Sequence, residues 1–561
     1  MNQIEQLEEK NNITILKNAN IITMCPKKPN AEAMAIQGQK IIAIGNNEEV
    51  RDKIKLNSKY YNSKIDIIKK DIDGKTILPG FIDVHLHPGL AIYFKTQANL
   101  SSIKSMKQLI GALTQEAKKL DAGEWLIGID LMEDSFTKTQ ERYFPTRKEL
   151  DQVDCINPII VIRHDGHICS VNSNALKKME INKDKTPKLE GGEGEIRLDD
   201  DGEPTGVLTE IATKIALDHA SLPAMERLIE AASDFSITLA SHGITTCGGV
   251  IQLGNEAIAG KAGSMERPLI EFLYKNGNLL QDFVFYVVTS KPKKLARVDR
   301  SFKKMDKGRQ EFVLGGLKTY SDGSFGARTA CMFEPFSDDE TKSGFMVHDK
   351  SEFIRLFKET HLLGFQVAVH AIGDKANRII TDVFQEVIKQ NPKPHRHRIE
   401  HASILTPDTI ADAAKLGIIL ASQPAFLTSE HEWLEARLGP ERIKNTYPFR
   451  SILDAGIVLA GASDTPIEST HVFEAINACV TRYNFVHEQC ISAKEAIEVF
   501  TSNAAYAIGQ EDIKGTLEAG KHADFIIVNK NPFKIRDDEL STIKILETFR
   551  RGKCIYKRNG E

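Results

Sequence analysis

Short runs of β-branched and aliphatic residues, broken by Asn, Gly and Lys, open the chain: ITILKNANIITM, AMAIQGQKIIAIG and IKKDIDGKTILPG. That texture predicts a small β unit. The runs GTLEAGKHADFIIVNKNPF and KILETFRRGKCIYK near the other end repeat it. Neither piece is large enough to bury a sheet well alone. The two, residues 12–75 and 511–561, are therefore expected to pair into one β-sandwich formed from both termini.

Between them, in residues 76–510, apolar strands alternate with amphipathic helices. The strand candidates are TILPGFIDVHLH, GITTCGGV from Gly243, FVFYVV from Phe283, FVLGGLKTY from Phe312, FQVAVHA from Phe365, HRIEHA from His397, GIILASQP from Gly417 and GIVLAGASD from Gly456. Their count and their spacing of about 30 residues predict an α/β fold of the (β/α)8 TIM-barrel type. His370 lies 31 positions before His401, and His401 lies 63 before Asp464, close to one and two repeats. A typical intervening helix is DKANRIITDVFQEVIKQ, with Ile379, Ile380, Val383 and Val387 on one face and Asp374 placed to cap it. The interval after the first strand is too long for a loop and holds strand-like segments of its own. It predicts a subdomain inserted over about 100–235, above the face where barrels carry their active sites.

With 41% hydrophobic and 27% charged residues over 561 positions, the composition is that of a globular chain. The formal net charge of −4 gives no reason to expect nucleic acid or a membrane as partner. The opening MNQIEQLEEKNN lacks the features of a secretory leader. Eight cysteines, Cys25, Cys155, Cys169, Cys247, Cys331, Cys479, Cys490 and Cys554, contain no CxxC pair and are expected to be free thiols of a cytoplasmic protein. Homodimers are common among soluble oligomers, so one is admitted here too.

Strand alternation in GFIDVHLH puts Phe81, Asp83, His85 and His87 on one side and Ile82, Val84 and Leu86 on the other. The first set is expected to face the barrel interior, with both histidines at the strand's C-terminal end. Two imidazoles there can share a metal ion, but His-x-His also occurs in ordinary strands. Lys318, His370, His401 and Asp464 end other strands at the equivalent place, so six residues would meet at one mouth. A lysine inside a barrel is costly unless neutralised or paired. Its neutral amine can take up carbon dioxide as a carbamate able to bridge two ions, and a salt bridge to Asp322 or Asp464 is the rival reading. Asp464 can touch an ion and also move a proton, or it can simply cap a helix.

The runs PGFIDVHLH, LKTYSDGSFGARTA, VAVHAIGDKA, HRIEHA, QPAFL, RLGPERIKNTYPFRSILDAGIVLAGASDTPIES and ADFIIV resemble the amidohydrolase superfamily, and within it the family-3 branch. That branch includes N-substituted formamide deformylase and related metal-dependent hydrolases. The resemblance implies one or two divalent ions, zinc first among them. His85, His87 and Asp464 would hold one, His370 and His401 the second, with carbamylated Lys318 between them and Asp464 as proton shuttle. It also implies a small-molecule substrate with a C–N bond of amide or N-formyl type. The chain reads GITTCGGV where relatives commonly carry a His-Asp pair, and Phe325 where an aliphatic residue is usual.

His167 in RHDGHICSVNS, Asp322 in YSDGS, Arg328 in GARTA and Gln423 in SQPAF are candidates for substrate contact. Asp165 belongs to the same turn as His167, and His395 and His397 fall at the opposite end of their strand. Two rival functions remain open to the sequence: a one-ion deaminase or cyclic C=N hydrolase, and a non-catalytic regulatory or binding protein on the same fold.

Overall fold

The computed structural model describes residues 12–58, 66–153, 156–164, 166–187, 194–220, 222–253 and 260–559. Asp165 and Cys155 lie outside that set. Eight parallel strands form the central sheet: β1 (Phe81–Leu86), β2 (Ile244–Gln252), β3 (Asp282–Val288), β4 (Phe312–Tyr320), β5 (Gln366–Ala371), β6 (Arg398–His401), β7 (Ile419–Ser422) and β8 (Leu459–Gly461). Each pairs with the next in chain order, so all eight expected strands are present in the order a barrel requires. The seam between β8 and β1 is bridged just past the strand ends. There the Asp464 amide donates to the His85 carbonyl at 2.9 Å and the His87 amide to the Thr465 carbonyl at 2.8 Å.

Helices fill the intervals because their apolar stripes match the outward strand residues. In Asp374–Gln390 the buried face is Ala376, Ile380, Val383, Phe384 and Val387. Two details differ from the sequence reading: Ile379 is only half-buried, and the N-cap is Gly373. Asp374 is the first helical residue, and its carboxylate reaches back to the Phe333 amide at 3.0 Å.

The run TILPGFIDVHLH is two strands rather than one. Thr76–Pro79 joins a separate six-stranded sheet, and the chain crosses into the barrel at Gly80, where a β-carbon would lie 2.5 Å from the Thr245 side chain. That sheet also holds Asn20–Ile22 and Asn30–Ala31 from the N-terminal segment and Phe525–Val528, Ile545–Arg550 and Lys553–Lys557 from the C-terminal one. A four-stranded sheet of Ile13–Lys17, Ala33–Gln37, Lys40–Gly45 and Ile67–Asp71 shares a core with it, Leu16, Ile36 and Ile41 meeting Ile21, Ile77, Phe525 and Ile527. Within the insert a further six-stranded sheet includes Leu126–Leu131, Ile159–Arg163, Ile168–Val171 and Pro204–Thr209. The described cysteines are free thiols, and among the described residues no helix is long and apolar enough to cross a membrane.

A buried ion cluster joins the barrel floor to the terminal sheet. Asp282, the first residue of β3, accepts from Lys514 Nζ at 2.6 Å and from Arg551 Nε and Nη2 at 3.0 Å. Asp524 takes the Arg551 amide at 2.6 Å. Burial works to raise the Asp282 carboxyl, but Lys514, Arg550 and Arg551 outweigh it and hold it below the usual carboxylate range. His522 and Asp524 also bring ligand atoms close to Asp282, yet the two cations already neutralise the carboxylates. Asp282→Asn leaves Lys514 and Arg551 buried without that charge, and is expected to cost about 3–5 kcal/mol of stability. A urea titration checks this, and an unchanged midpoint would refute the clamp.

Candidate metal centre

Six side chains converge at the C-terminal mouth of the barrel, and the backbone delivers them in ways that simple alternation does not foresee. On β1 it is Ile82 and Val84 that join the inner cluster with Val284, Tyr286, Ala368, Ala421 and Ala460, whereas Phe81 and Leu86 pack outward against the helices. The expected phase, with Phe81 and Asp83 inward, is therefore wrong for this half of the strand. The cause is a register shift: Cys247 pairs with Asp83 and Gly249 with Leu86, so β1 carries one extra residue there. The bulge presses the Val84 carbonyl to within 2.0 Å of where a β-carbon on Gly248 would stand, which explains a glycine at that position. Beyond it the phase is switched, and His85 turns inward.

Asp83, displaced from the interior, becomes a staple. Its carboxylate accepts the His85 amide at 3.1 Å and the Ser463 amide at 3.2 Å, fastening β1 to the segment after β8. Burial pushes its carboxyl up to about 7 against these donors.

His401 reaches the same centre by another device. Register pairs it with Ala371, while Glu400 pairs with His370 on the inner face. His401 has φ of +69° and Ala402 +47°, a left-handed conformation that L residues seldom adopt and that swings the imidazole inward after Glu400. Asp464 is likewise left-handed, at φ +60°.

The ligand atoms of His85, His401 and Asp464 lie within 4.8 Å of one another, all three residues buried. Asp464 Oδ1 is 3.3 Å from His85 Nε2 and 3.1 Å from His87 Nε2. The His370 ring stands 4.4 Å from that of His401, with Nε2 donating to the Gly323 carbonyl at 3.0 Å. Lys318 is 1% exposed, its Nζ lies 4.7 Å from the Tyr320 ring centre, and it has no hydrogen-bond partner. Neither salt bridge considered for it, to Asp322 or to Asp464, is formed.

The protonation pattern suits cation binding. Burial lowers His85 to about 4, with Lys318 lowering it further and Glu400 and Asp464 opposing. Burial likewise lowers His370 to about 3 and drives His401 well down, so the imidazoles are neutral near pH 7. Burial brings Lys318 down to about 8, against the attraction of Glu400 and Asp464. For Asp464 burial works upward, but attraction to His85 and His401 in their protonated forms and the His87 hydrogen bond outweigh it, so its carboxyl lies below the usual carboxylate range. His85 Nε2, His401 Nδ1 and Lys318 Nζ are buried without hydrogen-bond partners. Buried polar atoms are normally satisfied, and a divalent ion satisfies imidazole nitrogens of this kind, so the donor set fits one.

The candidate substrate residues divide. Gln423, directly after β7, is fully buried with both amide atoms unpartnered. Asp322 is buried, and its carboxylate accepts the amides of Cys331, Ile372 and Gly373 at 2.9, 3.0 and 2.8 Å, tying the β4 loop to the β5 loop. Arg328 is held by Asp338 at 3.1 and 2.9 Å, which Arg437 shares. His167, in the insert, bonds Glu210 through Nδ1 at 2.9 Å. His397 belongs to the opposite end of β6, where its Nδ1 accepts the Val367 amide and its Nε2 meets His361 Nδ1 at 2.8 Å.

Sequence reading passed over Glu400 and Arg398. Glu400 Oε2 sits 2.6 Å from His85 Nδ1, its other oxygen is bound by Arg398 Nε, and both side chains are buried. Strand parity with His370 was the signal that could have found Glu400. Within the insert, His164 Nδ1 bonds the Asp130 carboxylate.

Residues 70–556 match the family model described as Amidohydrolase family. YtcJ of Bacillus subtilis (strain 168), by name an amidohydrolase, is 30% identical over 96% of this chain and 98% of its own. N-substituted formamide deformylase of Arthrobacter pascens is 26% identical over 97% and 98%. A solved structure of an uncharacterized metal-dependent hydrolase from Pyrococcus horikoshii OT3 superposes with a TM-score of 0.72 at 26% identity, covering 94% of this chain and 99% of that one. The chain belongs to the amidohydrolase family of hydrolases.

Proposed function

We propose that this enzyme cleaves an amide or N-formyl C–N bond in a small molecule. His85, His87, His370, His401, Asp464 and Lys318 as its carbamate would hold one or two divalent ions, zinc first among them. A bound ion of this kind supplies a Lewis acid and a lowered water pKa. The observation that carries the reading is the buried trio His85, His401 and Asp464 with two unpartnered imidazole nitrogens.

Asp464 would act as general base and then general acid. Its ionised carboxylate accepts a proton as water attacks the carbonyl carbon, and returns it to the nitrogen as the C–N bond breaks. His87 Nε2, 3.1 Å from Oδ1, orients that carboxylate. The unpartnered Gln423 amide supports a hydrogen bond to a substrate, and His167 in the insert would approach from above. Asp322 and Arg328 would then serve substrate binding indirectly, by fixing the loops they tie.

Chelator-stripped protein is expected to hydrolyse nothing in a panel of N-formyl amines, N-acyl amines, dipeptides and cyclic amides. Reloading with zinc, manganese, iron or nickel should restore amine release from at least one class, with ion content at or above one per chain. Stoichiometric metal with no hydrolysis across the panel would overturn the proposal, and release of ammonia alone would favour deamination.

A further inference from the structure

We propose that Glu400 is a positioning residue that fixes the tautomer and orientation of His85, so that Nε2 faces the metal position with a free lone pair. The inference rests on the metal reading given above. An ionised carboxylate can only accept a hydrogen bond, so the 2.6 Å contact to Glu400 Oε2 places the His85 proton on Nδ1. The lone pair of the neutral ring is then on Nε2, the buried atom without a hydrogen-bond partner that stands 3.3 Å from Asp464 Oδ1.

Glu400 is itself locked. Arg398 Nε binds its second oxygen, Arg398 Nη2 donates to the Val84 carbonyl at 2.9 Å, and the guanidinium lies 4.0 Å over the Tyr286 ring. Tyr286 is anchored in turn by its hydroxyl, which donates to Gln366 Oε1 at 2.6 Å. The series Tyr286, Arg398, Glu400, His85 thus crosses the interior from β3 through β6 to β1. With both oxygens engaged, Glu400 is a support for a ligand rather than a ligand. It also explains a fully buried Arg–Glu pair directly beneath the centre, which would otherwise carry a desolvation cost for no local purpose. His370 is held differently, its Nε2–H on a backbone carbonyl, so the two imidazoles carry their protons on opposite nitrogens.

Carboxylate partners of metal-bound histidines typically carry 10–100-fold in affinity. Zinc dissociation constants, measured by competition with a chromophoric chelator, should therefore be about 10–100-fold weaker for Glu400→Gln, whose amide can donate to Nδ1 and favour the wrong tautomer. Glu400→Asp, still an acceptor only, should recover part of that loss, which a merely structural role would not produce. A folded Glu400→Gln with wild-type affinity overturns the inference and leaves the proposed function standing. Wild-type protein that binds none of zinc, manganese, iron and nickel overturns both. If Glu400→Gln does not fold, nitrogen-15 histidine spectra of the metal-free wild type decide: a His85 proton on Nδ1 supports the inference and one on Nε2 refutes it.

Discussion

Asp464→Asn is expected to lower kcat by about 10²–10⁴-fold, the range a positioned general acid–base contributes. The substitution keeps the volume and the backbone of a left-handed position that Asn tolerates as well as Asp. It removes the carboxylate charge and with it the base proposed to take the proton from water. Loss of a ligand would also weaken metal affinity, so kcat must be measured at ion concentrations that saturate the variant, with metal content determined on the same sample. A variant that retains more than a tenth of wild-type kcat with full metal content would remove Asp464 from the proton-transfer role. A variant inactive but devoid of metal would leave it only as a ligand.

The barrel and the strand ends were legible because the spacing of about 30 residues repeats along the chain and because strands of one barrel share a mouth. What the sequence concealed lies at the scale of one residue. A single inserted residue in β1 exchanged the inward roles of Phe81 and Asp83 for Ile82 and Val84, since a slip of one position reverses every face. His401 stands on the outward parity of its strand and is inward only through positive φ, which no motif announces in a residue that is not glycine. Glu400 was hidden by the same misjudged parity in HRIEHA. The Asp282, Lys514 and Arg551 cluster was hidden by distance along the chain, because partners more than 200 positions apart leave no local pattern.

Lys318→Met is expected to abolish hydrolysis and, at pH 7 in metal-free and carbon dioxide-free buffer, to raise stability by about 3 kcal/mol, the equivalent of a lysine held near 8 when folded. The lysine is fully buried, so water does not screen its charge. Attraction to Glu400 and Asp464 is already included in that value, and burial still prevails, so a neutral side chain of similar length is favoured. The sign follows from proton uptake. Below about pH 8 the ammonium exists in both states and the folded protein bears its whole cost. Between about 8 and the unfolded value of 10.5 the folded state releases its proton first, so wild-type stability rises with pH and the advantage of Met fades. Unfolding midpoints of both proteins from pH 6 to 10 check this, and a Met variant less stable at pH 7, or a difference that ignores pH, would refute it. The same depression bears on function. At pH 7.5 about a quarter of a lysine with a pKa near 8 is the free amine, against about a thousandth at 10.5. Only the free amine takes up carbon dioxide, so burial that destabilises the empty centre is what prepares Lys318 for the carbamate proposed for it.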